Sequence, residues 1–536
     1  MAGTWVGWRL RTRLLVAGVT LGALVGAAPA ASASALGGQA AASPGGPVTG
    51  TADGAVRGLA NGAVEEFLGI PYAAPPVGAL RWQPPRLAAS WSGVRDATKF
   101  APHCPQPASP FGQASTSEDC LFLNVFTPRH KSAGSHFPVM VWIHGGALVT
   151  GESEDYDPTA LVNDGVTVVT INYRLGALGF LAHPALADAQ GQSGDYGLMD
   201  QQAALRWVRR NIAGFGGDPH NVTVFGESAG GLSTLSQVAS PQARGLFQRA
   251  IVESGSYNLT QASLATAEAA GESFAASAGC SSQTAACLRS LPVATILASE
   301  NTAGYTPNIN SEVLPETLGT AFTTGNFNRV PIINGTNRDE WRLFVALSEL
   351  EGNPVTAANY QSMISSTLGV PAAVAALIAA RYPLSAFPSP SAALGAVGTD
   401  AIFACPALTI DQTVSRFVPT FGYEFNDENA PEDFLPPVSF PYGAAHASEI
   451  QYLMGLPTAA FAGPLSAQQQ QLATIMKGYW TSFARQGSPS SSGAPSWPLF
   501  NGLTQPVQSL APPVPQTETD FASTHNCAFW TALAGG

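Results

Sequence analysis

The 536-residue chain predicts an α/β fold, with a mostly parallel central sheet flanked by helices. Two observations carry that prediction. The runs Val139-Met-Val-Trp-Ile143 and Val166-Thr-Val-Val-Thr-Ile171 are apolar without polar alternation, as strands buried on both faces must be. Strand-like and helix-like stretches also alternate along the chain, the pattern that builds a sheet covered on both sides.

From the N-terminus, Arg9, Arg11 and Arg13 form a positive flank before the apolar run Leu14 to Val25, and small residues follow through Ala35. This reads as an export signal over residues 1–35, with A-x-A-like cleavage after Ala30, Ala33 or Ala35. The run falls short of the ~20 residues a membrane span needs, and no later stretch reads as a span, so a secreted protein without a stable membrane anchor is expected. Residues 36–46 read as a flexible Gly/Ala/Pro linker, and residues 47–536 as one catalytic domain. From Thr51 to Trp91, short pieces including Phe67 to Tyr72 and Pro75 to Trp82 read as edge hairpins and loops. Leu121 to Phe126 predicts a further buried strand. Leu205, Val208 and Ile212 have helical spacing, with Asp200 as N-cap. Strands follow over Val222 to Phe225, Ala250 to Glu253, Val330 to Asn334 and Pro419 to Phe425. The Ala-rich stretches about 258–325 and 345–400 read as helical insertions over the active end of the sheet.

Composition narrows the partners. Hydrophobic residues make up 45% and charged residues 11%, which describes a globular core. A net charge of -12, with 24 Lys and Arg scattered along the chain, argues against nucleic acid as a partner. Six cysteines in an exported chain imply three disulfides, with fifteen pairings open. Cys104 and Cys120 are near in sequence, as are Cys280 and Cys287, and Cys405 and Cys527 remain. No C-x-x-C spacing or His-rich cysteine cluster points to a metal.

The chemistry centres on Val222-Thr-Val-Phe-Gly-Glu-Ser-Ala-Gly-Gly231. Gly226 and Gly230 bracket Ser228 as G-x-S-x-G at a strand-to-helix junction, the pattern of a nucleophile elbow. A serine hydroxyl needs a base, and the base an orienting acid, following the serine in the order acid then histidine. Of eight histidines only His446 and His525 lie beyond Ser228. His446 sits in a Gly/Ala loop suited to a free side chain, whereas His525, two residues before Cys527, reads as structural. Asp339 and Glu340 both follow the strand ending at Asn334, and spacing does not choose between them. Strand Val139 to Ile143 runs into His144-Gly-Gly-Ala147, so Gly146, Ala147 and Ala229 are the candidate N–H donors of an oxyanion hole. His144 itself reads as a packing residue.

These blocks, with Glu118-Asp-Cys-Leu-Phe-Leu-Asn-Val-Phe-Thr-Pro128, Asn172-Tyr-Arg-Leu-Gly176 and Gly335-Thr-Asn-Arg-Asp-Glu340, make the chain resemble the type-B carboxylesterases of the α/β-hydrolase fold. The resemblance covers nearly all of residues 47–536. It implies Glu340 as the acid, a Ser228–Glu340–His446 triad, and the pairs Cys104–Cys120, Cys280–Cys287 and Cys405–Cys527. It also implies a structural Arg81–Glu118 ion pair and gives Glu227 a pocket-tuning role outside the triad. The chain departs from the family pattern at Ala147 and Trp341, where glycine is usual. The loop between Cys104 and Cys120 lacks the tryptophan on which cholinesterases seat a quaternary ammonium. The expected function is therefore hydrolysis of small-molecule carboxylic esters through an acyl-enzyme, with no metal and no cofactor. Lipase or amidase activity through the same triad is the alternative, and a non-catalytic binding module the remote one.

Overall fold

The computed structural model describes residues 45–130, 134–300, 305–310 and 312–535. The expected export signal and all but the last two residues of the expected linker lie outside the described residues. Strands β1 (Val48–Thr51), β2 (Gly54–Arg57) and β5 (Val94–Asp96) form a small sheet. The large sheet comprises β3 (Leu59–Asn61), β4 (Val64–Pro71), β6 (Phe122–Pro128), β7 (Phe137–Ile143), β8 (Thr167–Ile171), β9 (Gly217–Glu227), β10 (Arg249–Glu253), β11 (Ile332–Asn337), β12 (Thr420–Phe425), β13 (Val507–Leu510) and β14 (Gln516–Glu518). Its order is β14-β13-β12-β11-β10-β9-β7-β8-β6-β4-β3. From β8 across to β13 neighbouring strands are parallel, and antiparallel pairs close both edges.

Strand β7 explains why the buried runs lack polar alternation. Val139, Val141 and Ile143 enter one core with Leu205, Val208 and Leu232. Met140 and Trp142 enter the opposite core with Tyr479, Trp480 and Phe483 of the helix Ala467–Gln486. A strand buried on both faces has no solvent side to mark with polar residues.

Several expectations are corrected. Pro75 to Trp82 forms no strand but holds a short 3-10 turn at Gly78–Leu80. The helix expected from Asp200 starts earlier, spanning Tyr196–Asn211 with Asp195 at its N-cap. Asp200 instead lies buried within it and binds Arg174 through Oδ2 to Nε at 2.7 Å and Oδ1 to Nη2 at 2.8 Å. The helical stretch Pro390–Val414 is long and apolar enough to cross a membrane by length and composition, but it is mostly buried within the fold. Its apolar content serves a core with Leu394, Val397 and Phe403.

Helices occupy both Ala-rich stretches. The first carries Leu264–Ser277, Ala285–Ser290, Val293–Ser299 and Leu318–Thr324. The second includes Tyr360–Leu368, Ala372–Arg381 and Pro390–Gly398, and it continues through a π-helical turn, Thr399–Ala404. The three disulfides are Cys104–Cys120, Cys280–Cys287 and Cys405–Cys527, the pairing the resemblance implied.

Candidate active site

The candidate residues gather at the carboxyl ends of parallel strands, where open α/β sheets place their ligand crevices. Ser228 stands between the end of β9 and the helix Ala229–Ala239, with φ 55° and ψ -119°. A serine held at positive φ is strained, and the surroundings over-determine it. Its N–H bonds the Glu253 carbonyl at 2.8 Å, and its carbonyl accepts from Leu232 N–H at 2.8 Å. Gly230 permits the approach: a Cβ there would lie 1.9 Å from the Ile143 carbonyl oxygen of β7. The turn leaves Ser228 partly exposed while its neighbours are buried.

After β7 the backbone turns through positive φ at Gly146 (96°), Ala147 (55°) and Leu148 (63°). Gly146 and Ala147 are partly exposed, and their N–H groups, like that of Ala229, have no acceptor among the described residues. Ala147 adopts the positive φ that makes glycine usual at this position. His144 is buried, stacks on Tyr173 with centroids 4.5 Å apart, and is driven down to about pKa 4 chiefly by burial. It packs, as expected.

Glu340 follows β11. Its Oε1 accepts from Thr336 Oγ1 and from Asn337 N–H, each at 2.7 Å, which fixes the carboxylate, and its Oε2 lies 2.5 Å from His446 Nδ1. The loop carrying His446 is clipped to the acid loop by Asp339 N–H to Ala444 O at 2.9 Å and Asn337 Nδ2 to Ala445 O at 2.8 Å. Asp339, the other candidate acid, is turned away: its carboxylate pairs with Arg342 at 2.8 Å and accepts from Ala444 N–H at 3.1 Å. Phe403 and Phe344 flank the His446 ring at 5.0 and 5.3 Å.

His446 Nε2 makes no hydrogen bond among the described residues, and the nearest recorded charge is Glu227 Oε1 at 3.2 Å. In the neutral ring, with the Nδ1 proton directed at Glu340, Nε2 presents its lone pair. Burial lowers the imidazole pKa, but Glu227 and Glu340 outweigh it and push it up to about 9. Burial likewise drives the Glu227 carboxyl well above its usual value. Glu449, three residues after His446, is an acid of the site that no sequence motif singles out. It is buried, its Oε2 accepts from Asn337 Nδ2 at 2.5 Å, and burial followed by Glu340 raises it to about 7. Its one legible signal was an acid in a loop otherwise of small residues.

His525 lies apart from this cluster, held by Asp400 and Glu424, which agrees with its expected structural role. Arg81 and Glu118 form the expected ion pair at 2.5 Å.

A parallel sheet with a strained serine at a strand-to-helix elbow, and an acid and a histidine on later strand ends, defines the α/β-hydrolase class. The carboxylesterase family model matches residues 45–530. The chain is 36% identical to acylcarnitine hydrolase of Mus musculus over 83% of each chain, and 35% identical to cocaine esterase of Homo sapiens over 87% of each. It is also 35% identical to fumonisin B1 esterase of Sphingopyxis macrogoltabida over 82% of each. Among solved structures it is similar to a PNB esterase, with TM-score 0.72 and 33% identity, covering 89% of this chain and 98% of that one. The chain belongs to the carboxylesterase family and is a carboxylic ester hydrolase.

Proposed function

We propose that the protein is a secreted serine carboxylesterase acting on small-molecule esters through an acyl-enzyme. Ser228 Oγ attacks the ester carbonyl while His446 Nε2 takes its proton. Glu340 holds the imidazole and offsets the charge it gains. The N–H groups of Gly146, Ala147 and Ala229 stabilise the oxyanion. The same histidine protonates the leaving alcohol and then activates water to release the acid. The observation that carries this reading is the pairing of Glu340 with His446 Nδ1 at 2.5 Å while Nε2 keeps no hydrogen-bond partner.

The relatives are named for different substrates, acylcarnitine, cocaine and fumonisin B1, so the walls around the site are taken to select the substrate. Phe344 and Phe403 line the histidine, which favours an apolar acyl group beside it. Export is supported by three disulfides, which persist in oxidising compartments.

The test is Ser228→Ala with a fluorophosphonate probe and p-nitrophenyl esters of rising chain length. Wild type is expected to label and turn over, and the variant to do neither while keeping its circular dichroism. Turnover at the wild-type rate in the variant would sink the assignment. N-terminal sequencing of the protein recovered from culture medium tests export, with a start at Ala31, Ser34 or Leu36 expected.

A further inference from the structure

Away from the candidate active site, the loop closed by Cys104–Cys120 meets the segment that leaves the Gly146 turn. There His103 Nε2 lies 3.3 Å from Glu152 Oε2, and His103 Nδ1 lies 3.7 Å from Glu154 Oε1. One ligand atom from each of these three residues falls within 4.8 Å of the others. We propose that His103, Glu152 and Glu154 form a structural site for one divalent cation of the zinc type.

Three observations carry the proposal. The first is that the His103–Glu152 contact is not a hydrogen bond. His103 Nε2 and Glu152 Oε1 are both buried and without a partner among the described residues, although Glu152 is 0% exposed. Its other oxygen, Oε2, already accepts from Gln106 Nε2 at 3.2 Å and Gln113 N–H at 3.3 Å. A buried carboxylate oxygen left bare is costly unless something cationic takes it up.

The second observation is charge. Glu152 and Glu154 both face the His103 imidazole, and among the described residues no ion pair joins either carboxylate to a Lys or Arg. Buried charges are otherwise paired or coordinate metals.

The third is geometry and donor type. Two ligands each ~2.1 Å from one ion at a tetrahedral angle sit about 3.4 Å apart, close to the His103–Glu152 separation. An imidazole nitrogen with two carboxylates suits zinc better than calcium, which takes six to eight oxygens. The hydrogen bonds from Gln106 and Gln113 are the outer partners that would orient Glu152. His103 and the two glutamates lie about fifty residues apart, which is why no short motif announces them. The ion would clasp the disulfide loop to the segment after the Gly146 turn and take no part in ester chemistry.

The test uses the full chain without a histidine tag, dialysed against EDTA and titrated calorimetrically with Zn²⁺ and, separately, Ca²⁺. Saturable binding of one Zn²⁺ per chain is expected, with a rise in Tm of about 2–3 °C at a hundredfold excess over Kd, and none with Ca²⁺. Glu154→Gln, at a partly exposed position, is expected to weaken Zn²⁺ at least tenfold with its fold and metal-free Tm intact, and His103→Asn to abolish binding. No saturable Zn²⁺ binding in the wild type would overturn the proposal, as would equal affinity in both variants. Tighter Ca²⁺ than Zn²⁺ binding would overturn the ion assigned.

Discussion

His446 Nε2 stands 3.2 Å from Glu227 Oε1, and neither atom makes a hydrogen bond among the described residues. Glu227 immediately precedes Ser228, so its carboxyl lies beside the nitrogen proposed to take the serine proton. Glu227 and His446 are therefore coupled in their protonation at the heart of the site.

The competition sets a pH dependence. A base works only unprotonated, so the rate falls as pH drops through the pKa of His446. Since Glu227 and Glu340 push that pKa up to about 9 against burial, the acid limb of kcat/KM is expected above the ~6.5 of free imidazole. Glu227→Gln removes one source of the rise and should move the limb down by on the order of one pH unit. Profiles of p-nitrophenyl acetate hydrolysis for the two proteins measure it, and an unmoved limb would mean that Glu227 is neutral where the enzyme works.

Trp341, where the family usually carries glycine, is accommodated by Gly398. A Cβ on Gly398 would lie 2.0 Å from Trp341 Cγ, while Trp341 N–H bonds Thr399 Oγ1 at 3.0 Å. The indole stacks on Phe344, which flanks His446. Gly398→Ala is expected to cost about 1–3 kcal/mol by overpacking. In a Trp341→Gly background the same change should cost almost nothing. Urea denaturation of the four proteins closes the cycle, and additive losses would refute the pairing.

What the sequence made legible follows from locality. Val139 to Ile143 announced its burial because both faces of β7 are covered, and the Ser228 block carries its own turn chemistry. Asp200 misled because a polar residue before an apolar periodicity looks like a cap, whereas its partner Arg174 lies on the preceding segment. Strand β13, Val507–Leu510, went unseen because a short run with Gln508 and Ser509 gains its identity only by pairing with β12. The approach of Glu227 to His446 joins the end of β9 to a loop distant in sequence, and nothing local encodes it.

The disulfides should differ in worth. Cys405–Cys527 closes a separation of 122 residues and Cys280–Cys287 one of 7. In the chain-entropy picture these constrain the unfolded state by about 5 and about 2 kcal/mol. Replacing Cys405 and Cys527 together by Ala is therefore expected to lower Tm more than the same change at Cys280 and Cys287. The reverse order would show that native packing, not loop closure, dominates.

His525 is a buried histidine bound on both sides: Nδ1 lies 2.6 Å from Asp400 Oδ1 and Nε2 2.6 Å from Glu424 Oε1. It ties the C-terminal segment to the π-helical turn and to β12. Burial disfavours the cation, but Glu424 and Asp400 prevail and raise its pKa to about 10. A pKa raised on folding contributes stability that is fully present below the unfolded value of ~6.5 and is lost as pH climbs to about 10. His525→Gln leaves two buried carboxylates without their cation, which costs about 3–5 kcal/mol near neutrality. Thermal melts should thus separate wild type from variant most widely near ~pH 6.5, with the gap narrowing as pH rises toward about 10. A gap that stays constant from neutral to alkaline pH would mean that His525 packs as a neutral ring.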